Sequence, residues 1–445
     1  MKQVKRRATI TLVLALFLAA GLLLFCGRWA TQGRDWVSYF GNTGYFARGA
    51  IYDRNGVVLY NGDTGDYAEG SATRRAVMHL VGDRNIATSV RNVMGERLSG
   101  YHPITGTAFG SHDLYLTVDA SLNVTAYEAL GGKKGVVAVY NYKTGEVLCL
   151  VSAPSYDPLQ IPSDVDTNSQ YDGVYLNRFF SSTFTPGSIY KIITTAAAVE
   201  SVSNWSSWRY SCSGRVDVNG VAITCPFVHG NDMDLRTAFA QSCNGAYAQL
   251  TLDMGGERLR AMSKDAGLLD KHEVSGVTSA AGNYTVAERG SGNLAWSGSG
   301  QYENLVNPAS FLMLMGGIAN NGTAVTPVLL AKETISDTQI PGSLKIIKDS
   351  QSTWSASTCQ VVKEMMRNNV IETYGQDQFG SLAVCAKSGT AEVGGGNAPH
   401  SWFVGFVDDA TQPLAFVVLV ENGGSGASVA GSVAAKVLAE AMAAN

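Results

Sequence analysis

The sequence lacks a surplus of charge. Of its 445 residues only 16% are charged, 33 basic against 37 acidic, for a net charge of −4. No basic stripe is available to neutralise a phosphate backbone and no acidic block marks a disordered tail, so nucleic acid is not an expected partner. Internal repeats are absent. Low-complexity linkers are absent too, apart from Gly394–Gly396 and Gly423–Gly426, where the glycines predict mobile loops. None of the seven cysteines or six histidines falls in a C-x-x-C or His-x-x-x-His cluster of zinc-site spacing, so no metal and no cofactor are expected. Cys212 and Cys225 are close enough in sequence to close a short loop. An oxidising compartment permits a disulfide there, and spacing alone leaves the bonded and free states both open. Cys149, Cys359 and Cys385 lie in segments that read as buried strand or helix, where a thiol behaves as a small hydrophobe.

A chain of this length exceeds the usual size of one domain, so two folded units are expected. Lys2, Lys5, Arg6 and Arg7 precede an uncharged stretch, Ala8 to Gly27, rich in Leu, Ala, Ile and Phe. As a helix that stretch rises about 30 Å, the thickness of a bilayer core. The basic cluster predicts a cytoplasmic tail at 1–7, a single-pass anchor at 8–27, and everything after Arg28 outside the cell membrane. The alternative is a cleaved signal peptide, but the run is long for one and a small-x-small cleavage pattern near its end is poor. Cys26 invites a lipoprotein reading, yet Phe25 stands where a small residue is usual.

Beyond the anchor, Arg48 to Tyr60 reads as two short strands around Asp53-Arg54-Asn55-Gly56, with Asn-Gly supplying positive φ values. This opens a small extracytoplasmic module over 28–111. A larger unit, 112–445, begins with the alternating run LYLTVD, a short helix from Ala120 to Leu130, and a hairpin turning at Asn141 to Gly145. Pro186-Gly187 then introduces an apolar helix, Ser188 to Ser201. A second helical region, Leu235 to Met254, is interrupted by the corner Ser242-Cys243-Asn244-Gly245, and Pro308 to Asn320 reads as a third. Extended runs at Leu382–Ala386, Trp402–Val407 and Leu414–Val420 are joined by short turns, and an alanine-rich helix closes the chain from Ser428 to Ala444. The expected fold class is α+β, with helices packed on an antiparallel sheet.

Ser188 and Lys191 form S-x-x-K at a helix start, and positions i and i+3 share one face. No other serine has lysine three residues on. A serine hydroxyl needs a base to become a nucleophile, and a lysine amine serves when burial and neighbouring positive charge hold it neutral. Ser242 and Asn244 form S-x-N, which places a hydroxyl and an amide for proton transfer to a leaving amine. The same pattern recurs at Ser121 and Ser291, so alone it decides nothing. Lys387-Ser388-Gly389-Thr390 continues an apolar strand: the lysine adds positive charge, the hydroxyls can hold a carboxylate, and the glycine leaves room for substrate. Lys143-Thr144-Gly145 is a literal K-T-G but precedes the serine and sits at a strand reversal, so it reads as a turn. His229 and His400 read as structural, since a serine–lysine pair needs no imidazole, and Trp402 and Phe403 read as core.

In the order S-x-x-K, S-x-N, K-S/T-G the set is far more specific than its parts. With R-G-x-I-x-D-R-N-G at Arg48, LTVD at Leu116, KTGEVLCLVSAPSYDP at Lys143, Asn177 ahead of TPGSIYK, and PHSWFVGF from Pro399, the chain resembles the class B penicillin-binding proteins over nearly its whole length. The resemblance implies a transpeptidase domain of the penicillin-binding protein and serine β-lactamase-like fold on a small pedestal and one transmembrane helix. It implies cross-linking of peptidoglycan stem peptides or their lipid-linked precursor, with β-lactams as covalent inhibitors. By the same likeness Ser188 is the nucleophile and Lys191 its base, while Ser242, Asn244 and Lys387 relay protons and hold charge. Ser388, Gly389 and Thr390 bind substrate, and the backbone N–H groups of Ser188 and Thr390 form an oxyanion hole. A partner follows as well, because 28–111 is too short for a glycosyltransferase domain: a polytopic glycosyltransferase of the shape, elongation, division and sporulation family. Ser388 departs from the family's usual threonine but keeps the hydroxyl, and SGSGQYEN around Gln301 replaces a Gly-Gln-Gly turn. A β-lactamase or β-lactam sensor of the same fold is the rival, against which stand Asn244, the module before the domain, and the lack of a clear Glu-x-x-x-Asn loop. A non-catalytic scaffold is the other, opposed by the intact serine–lysine set.

Overall fold

The computed structural model describes residues 1–41, 49–99, 112–335, 338–339 and 350–443. Arg48, Ser111 and Ala444, each an expected boundary, lie outside them. The N-terminal helix runs from Lys2 to Gly41, well past the expected 8–27. Arg28, Arg34 and Asp35 end a membrane-compatible composition but do not break backbone hydrogen bonding, so polarity changes before the helix does. Within it, Lys2–Thr31 is long and apolar enough to cross a membrane, with a mean hydropathy of 2.6 over its most apolar 18 residues.

Strands Ile51–Tyr52 and Val58–Tyr60 pair antiparallel as expected. Of the turn residues only Gly56 takes a positive φ, +84°. Asn55 does not, because the Asp53 carboxylate accepts from Asn55 N and Val57 N and closes the turn itself. These strands join His112–Leu116 and Leu330–Ile335 in one sheet, so segments on both sides of the expected 111/112 boundary are hydrogen-bonded together. The helix Ser71–Val81 packs on the helix Ala120–Ala129, and Arg74 donates twice to the buried Asp157 carboxylate at 2.7 Å. That hydrogen bonding, led by Arg74, holds the Asp157 carboxyl down at about 2.

The main sheet joins the three C-terminal runs and the earlier hairpin into five strands among the described residues. Val384–Ala391, His400–Val407 and Leu414–Val420 continue through the hairpin Gly135–Asn141 and Val147–Ala153, all antiparallel. The edge strand extends five residues beyond Ala386, since the register with His400–Val407 pairs Lys387, Ser388 and Thr390 in the ladder. Both faces are covered, which explains why the strands read as continuous apolar runs. Val136, Ala138, Tyr140, Val404 and Phe406 face a core with the helices Lys191–Ser201 and Pro308–Ala319. Val137, Val139, Phe403 and Val418 face the other way, against Ala120–Ala129 and the C-terminal helix Gly431–Ala443. A π turn, Gly426–Ala430, opens that last helix. Trp402 is wholly buried and its Nε1 donates to Thr185 O, tying the sheet to the segment before Ser188.

Candidate active site

The three motifs meet at one end of the sheet. Gly187–Tyr190 forms a 3-10 turn that runs into the helix Lys191–Ser201. Gly187 adopts φ +55°, and a Cβ there would lie 2.8 Å from both Ala391 Cα and Thr390 O. Only glycine therefore lets the turn carrying Ser188 abut the edge strand. Its N–H donates to Gly300 O at 3.0 Å, so the SGSGQYEN loop, of unassigned role in the sequence, braces this turn. Gly389 meets the turn from the strand side: its added Cβ would be 2.9 Å from Ile189 Cγ2.

Ser242 and Asn244 sit at the break between the helices Leu235–Ala240 and Asn244–Met254, where Ser242 takes φ +54°. Lys191 Nζ reaches into this corner. It lies 2.7 Å from Ser242 O and 2.7 Å from Asn244 Oδ1, and 3.1 Å from both Ser188 Oγ and Ser242 Oγ. A neutral amine has two N–H donors and one lone pair. The two short contacts go to atoms that only accept, so they use the donors and leave the lone pair for a hydroxyl proton. Lys387 Nζ lies 3.2 Å from Ser242 Oγ on the other side, and Asn244 Nδ2 donates to Thr224 O at 2.7 Å.

Both lysines are fully buried. Burial first, then the neighbouring Lys387 charge, drives the Lys191 amine well below the usual lysine range. Burial lowers Lys387 to about 7. The site thus holds two buried amines, both below the usual lysine range, on either side of the Ser242 hydroxyl, with Ser188 in reach of Lys191.

Ser188, Ser242, Asn244, Ser388 and Thr390 line a cleft of about 720 Å³ together with Gln301. Every site residue expected from the sequence is brought to this region. Lys143-Thr144-Gly145 lies at the far hairpin turn, and His400 packs on Phe184 and accepts from Asn422 N. Two features were not visible beforehand. Tyr374, on a π turn Val370–Tyr374, accepts from Ser388 N at 2.9 Å and shares a 3.0 Å hydrogen bond with Ser388 Oγ; no local sequence signal marks it. The other is a cluster: Cys212 and Cys225 approach, unbonded, at 3.8 Å, and Cys243 and His229 join them. The hints in the sequence were the Cys212–Cys225 pair and the short Cys225-to-His229 spacing, which a search for paired motifs passes over.

The family model for the penicillin binding protein transpeptidase domain matches residues 135–443. The peptidoglycan D,D-transpeptidase PbpA of Mycolicibacterium smegmatis is 28% identical over 377 residues, spanning 78% of this chain and 74% of that protein. Among solved structures, the ceftriaxone acyl-enzyme of penicillin-binding protein A from M. tuberculosis superimposes with a TM-score of 0.77 at 22% identity, covering 90% of this chain and 99% of that one. A chain of a peptidoglycan synthase complex that coordinates polymerization and crosslinking gives 0.62 at 25% identity, over 74% of this chain and 62% of that one.

Proposed function

The chain belongs to the penicillin-binding protein transpeptidase family, and we propose that it is a peptidoglycan D,D-transpeptidase working through an acyl-serine intermediate. The observation that carries this reading is the Lys191 amine, which burial drives well below the usual lysine range and which lies 3.1 Å from Ser188 Oγ. Lys191 takes the hydroxyl proton as Oγ bonds to the carbonyl carbon of the penultimate D-Ala. The oxyanion is met by the backbone N–H groups of Ser188 and Thr390, whose segments abut at Gly187. When the C–N bond breaks, the proton passes by way of Ser242 to the leaving amine, and D-Ala departs. An acceptor amine from a neighbouring strand then attacks the ester. The new C–N bond forms, the C–Oγ bond breaks, and Ser188 regains its proton. Ser388 and Thr390 hold the terminal carboxylate, with Lys387 supplying positive charge.

The same reading divides the chain into a tail at 1–7, an anchor at 8–27, a pedestal at 28–111 and the catalytic domain at 112–445, with the N-terminus cytoplasmic and the catalytic domain outside. The apolar N-terminal helix and the basic cluster before it support that topology. A polytopic glycosyltransferase of the shape, elongation, division and sporulation family is the proposed partner of this cross-linking site. The likeness to a chain of a peptidoglycan synthase complex supports that pairing.

Covalent labelling with a fluorescent penicillin, followed by intact mass over hours, tests the proposal. A stable adduct on the wild type that Ser188→Ala abolishes is expected. Rapid turnover of the penicillin would instead identify a β-lactamase, and no adduct at all would identify a scaffold.

A further inference from the structure

We propose that Cys212, Cys225, His229 and Cys243 form a closed tetrahedral zinc site that staples the 210–233 segment to the Ser242–Asn244 corner. Their ligand atoms all lie within 4.8 Å of one another. Zinc bonds of about 2.3 Å to sulfur and 2.0–2.1 Å to nitrogen give tetrahedral edges of about 3.8 Å between sulfurs and about 3.6 Å between sulfur and nitrogen. The Cys212–Cys225 and Cys225–Cys243 sulfur pairs are each 3.8 Å apart, and His229 Nδ1 is 3.3 Å from Cys212 Sγ. Two sulfur–sulfur edges thus match tetrahedral zinc, the sulfur–nitrogen edge is within about 0.3 Å of it, and all four ligand atoms lie within 4.8 Å of one another.

A disulfide accounts for less. It would join two of the three cysteines and leave a thiol and a buried imidazole without a role. His229 is 9% exposed, and its Nδ1 points at Cys212 Sγ, where a ligand atom would stand. Zinc uses all four groups. Three thiolates and one imidazole are also the soft, nitrogen-containing set that tetrahedral zinc prefers, and four protein ligands leave no open position for water, which marks a structural site. The sulfurs already receive backbone donors: Gly214 N–H faces Cys212 Sγ at 3.4 Å, and the N–H groups of Gly245 and Ala246 face Cys225 and Cys243. Such N–H contacts stabilise metal-bound thiolates.

The ligands come from separate elements. Cys212 ends the strand Tyr210–Cys212, Cys225 follows the strand Val221–Thr224, and His229 precedes the strand Gly230–Met233. Cys243 is the residue between Ser242 and Asn244. Ile223 packs on Ala248 and Ala295 and Met233 joins the main core, whereas Phe227 and Val228, in the connection that carries His229, are exposed. A metal centred on Cys243 would lock them to the residues that contact Lys191. Metal content and thiol protection are read without the transpeptidase activity, so failure of the site and failure of that function are distinguishable.

The test uses the full-length chain in detergent, purified without chelator or a metal-binding tag, with zinc measured by elemental analysis. One zinc per chain is expected, with Cys212, Cys225 and Cys243 protected from alkylation until a chelator strips the metal. The stripped protein should melt at lower temperature. Cobalt exchanged into the wild type should show thiolate-to-metal charge transfer and the intense visible bands of tetrahedral Co(II), a signature that needs no variant to fold. His229→Ala and Cys212→Ser should each lose the stoichiometric zinc, while Cys359→Ser keeps it. A metal-free protein lighter by two hydrogens than its reduced form would replace the site with a disulfide. Metal-free protein with all thiols open, zinc retained by both ligand variants, or no change in melting on stripping would each overturn the proposal.

Discussion

Lys191 Nζ lies 2.7 Å from Asn244 Oδ1, so the side chain 53 positions on dictates where the lysine's lone pair points. An amide in that place accepts a hydrogen bond without adding charge. Asn244→Asp would add a carboxylate that favours the ammonium form. The acidic limb of the acylation profile, measured with a chromogenic β-lactam, should therefore move up by about one to three pH units. Asn244→Ala should slow acylation about tenfold without that upward move, the worth of one hydrogen bond.

Lys387 sets the other limb. It titrates at about 7 in the free protein because burial disfavours its charge. Above that pH the cleft loses the positive charge that faces a substrate carboxylate. The second-order acylation rate, which reports free-enzyme ionisations, should fall as pH rises through about 7. Stopped-flow acylation from pH 5 to 9, an interval of roughly two units on each side, measures it.

The same amine costs stability. Folded Lys387 loses its proton near 7, whereas in an unfolded chain lysine keeps it to about 10.4. Between those values the unfolded state binds more protons, so stability rises with pH across that window, and the full penalty applies below it. Lys387→Met should stabilise the protein by about 1–2 kcal/mol at pH 7, less than the whole penalty because Ser242 Oγ and Ser388 O lose a partner. Urea unfolding should also show a shallower rise with pH, the remainder coming from Lys191, while acylation is lost.

Gly187→Ala tests the abutment of turn and strand. Its positive φ and the 2.8 Å approach to Thr390 O and Ala391 Cα leave a methyl group nowhere to go. A loss of about 1–3 kcal/mol in thermal unfolding is expected, with penicillin labelling reduced more than stability alone explains.

Tyr374→Phe keeps the ring and deletes the hydroxyl that accepts from Ser388 N. The unpaired N–H costs about 1–3 kcal/mol. Since Ser388 is proposed to grip the carboxylate, the constant for initial β-lactam binding should weaken more than the acylation step slows; resolving the two kinetically decides it.

Local pattern made much of this legible. Apolar runs marked the strands, Pro186-Gly187 marked the start of the nucleophile turn, and the unique S-x-x-K singled out Ser188 and Lys191. The ambiguous S-x-N and K-x-G matches became informative through their order along the chain. Tyr374 stayed hidden because its role depends on a π turn that aims its hydroxyl at a strand 14 residues on. The cysteine–histidine cluster stayed hidden because its members are spread over 212–243 and meet only when two hairpins fold back on the helix break.

The sequence by itself determined the membrane-compatible N-terminal helix, the alternation of elements and the identity of the reacting groups, because those depend on composition, period and motif within a few residues. Tertiary structure alone decided the distances from Lys191 to Ser242 and Asn244, that burial takes two amines below the normal lysine range, and that Cys212, Cys225, His229 and Cys243 come together. Desolvation and ligand geometry are properties of what surrounds a side chain, and those neighbours arrive from distant parts of the chain.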